Sequence, residues 1–574
     1  MRILPELTPN TSFPSRRTRT ARPTGPKRVP WPVFILIAAI LFAAVTVIYP
    51  SFQYAGRPPG SRPQLVYQGE AHRFPVVVEK GEAYVPLSFI HDKLDPHVHW
   101  DESGVMAVTT RDQVVKLKTE SLTAYVNQHP VDLQFPVILE GREPYVPAST
   151  LETLYPVSTR YSQEYGIFLV RPLDIPKTTG ETRTETILRT KASPLARRVA
   201  VLPAGEQVVV YGDAARWLKV ETSSGLCGFV PKRDVSDLRE KPPVAEQPSE
   251  YVPAPLKGEK VVLAWEHVHK ITPDPSTLGE MPGLNVVSPT WFHLADTPGE
   301  IENRADMRYV NWAHSRGYQV WALFSNSFDP ERTSVVLRDS GLRDKVISQL
   351  LIYADIYKLD GINVDFENVH LADGPYLTQF VRELSPLLHN QGLTVSIDIT
   401  VKSSSPNWSM FLERDKLAQV VDYVMLMAYD QYPHGSKVAG PVSTIPWTEW
   451  TIQKTLEEVP KEKLVLGVPF YTRLWKETVE NGKTTVTPTA LGMAGTGQWL
   501  QEENVTPEYQ ADTGLLYAEK KAGNHTYKIW IEDASSMKKR VQLVNQYELA
   551  GVAAWRRGFE TPDIWEVICE TLGS

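Results

Sequence analysis

Between residues 258 and 574 the chain alternates eight short apolar runs with longer helical patterns, and that alternation leaves few folds open. The runs are Lys260–Trp265, Val286–Trp291, Gln319–Phe324, Gly361–Phe366, Thr394–Thr400, Tyr423–Ala428, Leu464–Pro469 and Gly551–Trp555. Each is too short for a helix and as evenly apolar as a strand buried on both faces. Between two of them, Leu342, Val346, Leu350, Ala354 and Tyr357 recur at steps of three and four, one face of a helix. Eight strand–helix units in about 310 residues predict an α/β fold, a closed (β/α)8 barrel of the TIM type. A turn-rich stretch at 476–534, with its own strands around Leu515–Tyr517 and Tyr527–Ile531, reads as a small α+β insertion between strand 7 and its helix.

The fourth run breaks the apolar rule in a regular way. In Leu359–Asn368, Ile362, Val364 and Phe366 point one way at a strand's period of two, and Asn363, Asp365 and Glu367 point the other. In an inner barrel strand that second face lines the lumen, where side-by-side carboxylates are desolvated and one of them readily keeps its proton. Barrel chemistry sits at the C-terminal ends of the strands. Strand 1 ends on Glu266, His267 and His269, strand 2 on Trp291, strand 3 on Asn326. Strand 6 ends on Met427, Tyr429 and Asp430, strand 7 on Tyr471 and Arg473, and strand 8 on Trp555. Acids, hydroxyls, an arginine and aromatic faces around one mouth suit a sugar, whose ring faces stack and whose hydroxyls bond polar tips.

Four of these strand ends resemble the motifs of family 18 glycoside hydrolases. Asp360-Gly361-Ile362-Asn363-Val364-Asp365-Phe366-Glu367 is similar to the family's D-G-x-D-x-D-x-E. Met427-Ala428-Tyr429-Asp430 is similar to its M-x-Y-D, Gly467-Val468-Pro469-Phe470-Tyr471-Thr472-Arg473 to its G-x-P-x-Y-G-R, and Trp555 to its strand-8 tryptophan. The resemblance implies substrate-assisted retaining hydrolysis with no enzymic nucleophile. It makes Glu367 the general acid and base, Asp365 its partner that orients the substrate acetamide, and Tyr429 a donor to the acetamide oxygen. Trp555 becomes the floor of the sugar site, and Asp430, Arg473, Tyr471, Met427, Asn363, Trp291 and Asn326 the surrounding contacts. Asp360, of opposite parity, reads as structural. No metal or cofactor is called for.

Two departures bear on the substrate. Asn363 stands where the signature has its innermost Asp, as in members that act on spore and cell-wall peptidoglycan. Leu323-Phe324-Ser325-Asn326 lacks the S-x-G-G of chitinases. An N-acetylated glycan is therefore the expected partner, peptidoglycan ahead of chitin. Four other readings compete. Asp360 to Glu367 could form an ordinary β-turn-β edge with solvated acids, but three further motifs follow in order. An amidohydrolase would use His267-Val268-His269 as a metal pair, but strand 4 offers no Lys or His and strands 6 and 8 no His. A non-catalytic sugar-binding barrel would be expected to lack the acid or its aspartate, and both are present. A wall-tethering scaffold would leave the binding to the accessory modules.

Those modules fill the first half of the chain. Residues 1–30 carry Arg16, Arg17, Arg19, Arg22, Lys27 and Arg28 and few large apolar groups, the composition of a disordered basic tail. From Trp31 to Tyr49 no charge occurs, and as a helix the run reaches about 28 Å, one bilayer core. Bulky Val47, Ile48 and Tyr49 do not suit signal cleavage. Residues 31–50 thus read as a single-pass anchor in contact with membrane lipid, with a cytoplasmic N-terminus and everything after residue 56 extracytoplasmic. Phe74-Pro75-Val76 and Tyr84-Val85-Pro86 recur as Phe135-Pro136-Val137 and Tyr145-Val146-Pro147. This duplicated β-β-α unit over 64–173 resembles the N-terminal domain of copper amine oxidases. Its His97-Val98-His99 lacks a completing ligand set and reads as a strand end. Residues 183–236, with strands at Thr186–Arg189, Arg198–Leu202, Gln207–Tyr211, Trp217–Glu221 and Gly228–Pro231, resemble a bacterial Src-homology-3-like barrel, a module that often binds wall components. Five prolines make 237–257 a stiff linker. The net charge of -7 gives no sign of a nucleic-acid footprint, and the only cysteines, Cys227 and Cys569, fall in different expected domains, so neither a disulfide framework nor a Cys-rich metal site is expected.

Overall fold

The computed structural model describes residues 62–244, 256 and 260–573 except 102 and 481, together with 35 and 38. Among these residues no helix is long and apolar enough to cross a membrane. The expected single-pass membrane placement is corrected on that finding; the tail and the 31–50 run otherwise lie outside the described residues. The chain divides into two compact units. One comprises Met1–His72, Arg160–Val170 and Ile175–Pro243, the other Arg73–Thr159, Arg171–Asp174 and Val244–Ser574.

The first unit is built on a seven-stranded antiparallel sheet. Its order is Arg198–Leu202, Thr186–Arg189, Cys227–Pro231, Trp217–Thr222, Gln207–Ala214, Lys177–Thr182 and Val235–Lys241. Leu188, Leu202, Val208, Leu218, Val220 and Val230 close its core. The last strand runs through Lys241, so the first residues of the 237–257 stretch are sheet rather than linker; most of the remainder lies outside the described residues.

In the second unit the two Tyr-Val-Pro strands of the repeat pair with each other, antiparallel, with Val85 opposite Val146. Each leads into a seven-residue helix, Leu87–Lys93 or Ala148–Leu154, that begins after a proline and has no cap from its own preceding side chain. The repeats exchange that service. Glu143 accepts from the Ser88 N–H at 2.9 Å, and Glu82 from the Ser149 N–H at 2.8 Å, each carboxylate satisfying an orphan donor in the other copy's first turn.

The remainder of this unit is the barrel. Its strands are β1 (Val261–Glu266), β2 (Val286–Leu294), β3 (Gln319–Ser325), β4 (Gly361–Asp365), β5 (Thr394–Thr400), β6 (Tyr423–Met427), β7 (Leu464–Pro469) and β8 (Gly551–Trp555). All eight are parallel, each to the next, and β8 closes onto β1. Val261, Leu263, Trp265, Trp321, Leu323, Met425 and Val465 fill the lumen. Gly361 leaves the space that Trp321 uses, since a Cβ there would lie 2.8 Å from the indole. The opposite parity, with Ile362, Val364, Ile397 and Leu466, packs outward against the helices. Two of these, α1 (Ser340–Tyr357) and α2 (Gly374–His389), flank β4 in sequence. The insertion is a five-stranded antiparallel sheet with a helix, Met493–Glu502, and it begins at Tyr471 rather than 476.

A five-stranded meander, His99–Asp132, lies against the outside of the barrel. Val114 joins the barrel's outer core, and His99 meets Tyr376 of α2 edge-on at 5.7 Å. Lys116 inserts its ammonium among Ser340 (3.1 Å), Asp344 (2.7 Å) and Glu383 (2.8 Å). Glu383 is also held by Arg343 at 2.9 Å, and both of those side chains are fully buried.

Candidate active site

The site grows from the alternation of β4. Asn363 and Asp365 face the lumen, and Glu367, just past the strand's end, continues their parity at the mouth. Asp365 is buried, and its Oδ1 has no hydrogen-bond partner. Burial pushes its carboxyl well above the ordinary range. Glu367 is half-buried, and burial again, then the charges of Asp365 and Asp430, push it up to about 8. A carboxylic acid that keeps its proton at neutral pH is what a general acid requires.

Asn326 explains why Glu367 stays in place. Its side chain donates to the Glu367 carbonyl at 2.7 Å and accepts from the Glu367 N–H at 3.1 Å, while Thr333 fixes the amide at 2.9 Å. It is fully buried, so the expectation that it contacts substrate is corrected: one residue beyond lumen-facing Ser325, it points away from the mouth and clamps backbone. Trp291 is corrected for the same reason. It shares the parity of Val287, its indole is fully buried in the outer core, and its N–H donates to Thr272 at 2.9 Å, which leaves no face for a sugar. Asn363 is sealed in the lumen beneath Asp365 and is no substrate contact either.

Met427 and Tyr429 lie at and just past the end of β6, and Trp555 lies at the end of β8. Tyr429 and Trp555 pack on the inner core, and Met427 is half-buried at the end of β6. Burial raises the Tyr429 hydroxyl, with Asp398, Tyr471, Asp365 and Glu367 adding to it, so it remains a donor. Trp555 tilts against Trp265 at 6.1 Å and meets His267 edge-on at 6.3 Å. Asp430, in the left-handed region at φ 61°, turns its half-exposed carboxylate back onto β7's successor strand. There Oδ1 accepts from the Tyr471 hydroxyl and from Arg473 at 2.7 Å. Asp360 accepts from the Val320 N–H and bonds His314, both at 2.8 Å, and is structural. Glu266 pairs with Arg557, which ties β1 to the segment after β8.

One acid escaped the sequence reading. Asp398 on β5 is 3% exposed and accepts from Asn363 Nδ2 at 2.8 Å. Its signal was present: in Ser396-Ile397-Asp398-Ile399-Thr400 the polar residues alternate, as they do in β4.

Residues 292–560 match the family model of glycosyl hydrolases family 18, and residues 67–166 that of the copper amine oxidase N-terminal domain. The uncharacterized glycosylase YvbX of Bacillus subtilis is 24% identical over 297 residues, 50% of this chain and 84% of that protein. The cortical fragment-lytic enzyme of the same organism is 26% identical over 257 residues, 43% of this chain and 58% of its own length. Among solved structures, the C-terminal domain of a presumptive chitinase from Desulfitobacterium hafniense DCB-2 shares the barrel with a TM-score of 0.50. That likeness is at 22% identity and covers 55% of this chain and all of that one. The chain thus carries a glycosidase barrel, whose residues 292–560 form a glycosyl hydrolase family 18 domain.

Proposed function

We propose that the barrel cleaves β-1,4 bonds after N-acetylglucosamine in peptidoglycan, by substrate-assisted retaining catalysis. The observation that carries this reading is Glu367 at the end of β4 beside a buried Asp365, where burial and the neighbouring acids hold its carboxyl above the ordinary range. In this mechanism Glu367 gives its proton to the glycosidic oxygen as the bond to the anomeric carbon breaks. The acetamide carbonyl oxygen of the same sugar forms the new bond to that carbon, giving an oxazolinium ion. Asp365 accepts the acetamide N–H and faces the positive charge, and the Tyr429 hydroxyl donates to the acetamide oxygen. Water then opens the ring, losing its proton to Glu367, which is restored. Two displacements on opposite faces retain the configuration. Trp555 forms the floor under the sugar, and Asp430, Tyr471 and Arg473 hold one wall.

Asn363 and the relatives named for lysing cortical fragments favour peptidoglycan over chitin. Mass spectrometry of digested peptidoglycan tests the proposal. New reducing ends at N-acetylglucosamine are the expected result. Intact glycan with cut peptides overturns it, and cleavage confined to chitin oligosaccharides moves the substrate.

A further inference from the structure

In the parallel pairing of β4 with β5, Asn363 stands opposite Ser396 and Val364 opposite Ile397. The next step along both strands sets Asp365 beside Asp398, on the same lumenal face and one strand spacing apart, about 4.8 Å between backbones. Both side chains are buried. Two buried carboxylates on neighbouring strands of one lumenal face disfavour each other's ionisation.

The hydrogen bonds around Asn363 show why an amide fits its position. Its Oδ1 accepts from the Trp265 indole N–H at 2.9 Å and from the Ser288 hydroxyl at 3.3 Å. Those donors fix the amide's orientation, so its Nδ2 must face acceptors: Ser396 Oγ at 3.0 Å and Asp398 at 2.8 Å. An aspartate here could still accept from Trp265 and Ser288, but it would face Asp398 with a like charge. The residue that departs from the family signature is therefore bound to a carboxylate on the neighbouring strand.

We propose that Asp398 is a positioning residue for hydrolysis: it shares one proton with Asp365 across β4 and β5, and Asn363 holds it there as a fixed donor. This deepens the proposed function and rests on it for the role of Asp365. When Asp365 accepts the acetamide N–H, the shared proton stays on Asp398 and the single negative charge stays on Asp365; no proton enters or leaves the pair. The other groups acting on the pair are Glu367 from β4's end and Tyr429 after β6. Further out, Asp430 is held by Tyr471 and Arg473. Burial and the neighbouring Asp365 both raise the Asp398 carboxyl, consistent with its keeping the proton.

Two measurements test the pairing. Infrared difference spectra of the unliganded Glu367→Gln protein near neutral pH should show a protonated carboxyl band that disappears when Asp398→Asn is added. A spectrum unchanged by that addition overturns the proposal. Because this needs no substrate, the band can persist even if the wild-type protein leaves N-acetylated glycans intact, and that outcome would sink the proposed function alone. In turnover, Asp398→Ala should lower kcat by about tenfold to a hundredfold with little change in KM. Asp365 loses the hydroxyl donor to its charged form, so the acid limb of kcat/KM should move to higher pH. The swap of Asn363→Asp with Asp398→Asn keeps one acid and one amide and should recover activity that either change alone removes. A pH profile that only scales down, with no recovery in the swap, reduces Asp398 to a structural role and overturns the proposal.

Discussion

Half-buried Glu367 and two fully buried glutamates of the barrel domain, Glu532 and Glu383, differ in how many cations reach them. Glu367 at the mouth feels only acids, and its carboxyl is driven up to about 8. Glu532 has one partner cation, Arg540 at 2.6 Å, and burial still holds it above its ordinary value. Glu383 on α2 has two, Lys116 and Arg343, and is driven down to about 2. Arg540, with Asp533 opposing it, does not offset desolvation at Glu532, whereas Lys116 and Arg343 together do so at Glu383. The fold thus makes a proton donor at the mouth by withholding cations. It makes a structural anion behind α2 by supplying them, one from the barrel and one from the accessory meander.

The contrast breaks most sharply at Glu367. Glu367→Gln should lower turnover on N-acetylated glycans by about a thousandfold while leaving the protein folded. It should also change the slope of stability with pH. The unfolded carboxyl ionises from its ordinary range, whereas the folded one holds its proton until about 8; wild-type stability therefore falls as pH rises between those values. The Gln variant should show a shallower decline, since the raised carboxyls of Asp365 and Asp398 remain, as melting temperatures across the range will show.

Glu383→Gln is the mirror experiment. It leaves Lys116 and Arg343 without their shared anion and should destabilise by about 3–5 kcal/mol. Because the folded pKa is depressed, the wild-type contribution is present above the unfolded value and is lost as pH falls toward 2. Denaturant titrations at neutral and acid pH should converge for wild type and variant at the acid end. A variant as stable as wild type at neutral pH would refute the two-cation account.

Asn326→Ala removes both side-chain bonds to the Glu367 backbone and should reduce kcat by roughly tenfold through misplacement of the acid, with the alkaline limb of the profile kept. Lys116→Met is the mildest change. It takes away one of two cations while Arg343 still pairs with Glu383, and should cost less than Glu383→Gln in denaturant unfolding.

Much of this was legible in the order of residues because the barrel's two parities are chemically distinct. All eight strands follow from short apolar runs between helical patterns, and the lumenal face of Asp365 and Glu367 follows from period two. Trp291 and Asn326 were misplaced because they were read by position at a strand end without asking which face they occupy; parity sends both away from the lumen. Asp398 was passed over because β5 was read as a strand only, and the pairing of one strand's polar face with the next is a register fact. The docking of Lys116 onto α1 and α2 lies beyond any local pattern, since it joins residues 228 and 267 positions apart.

The crossed capping of the repeat has a consequence for how this part of the chain can change over time. Glu82 serves the helix that begins near Ser149, and Glu143 serves the one that begins near Ser88. Each copy therefore carries part of the instructions for its twin. Deleting one copy would leave the survivor with an unguarded helix start and an unpaired strand edge. Each half thus depends on the other for its helix start, and a substitution at either acid acts on the opposite half.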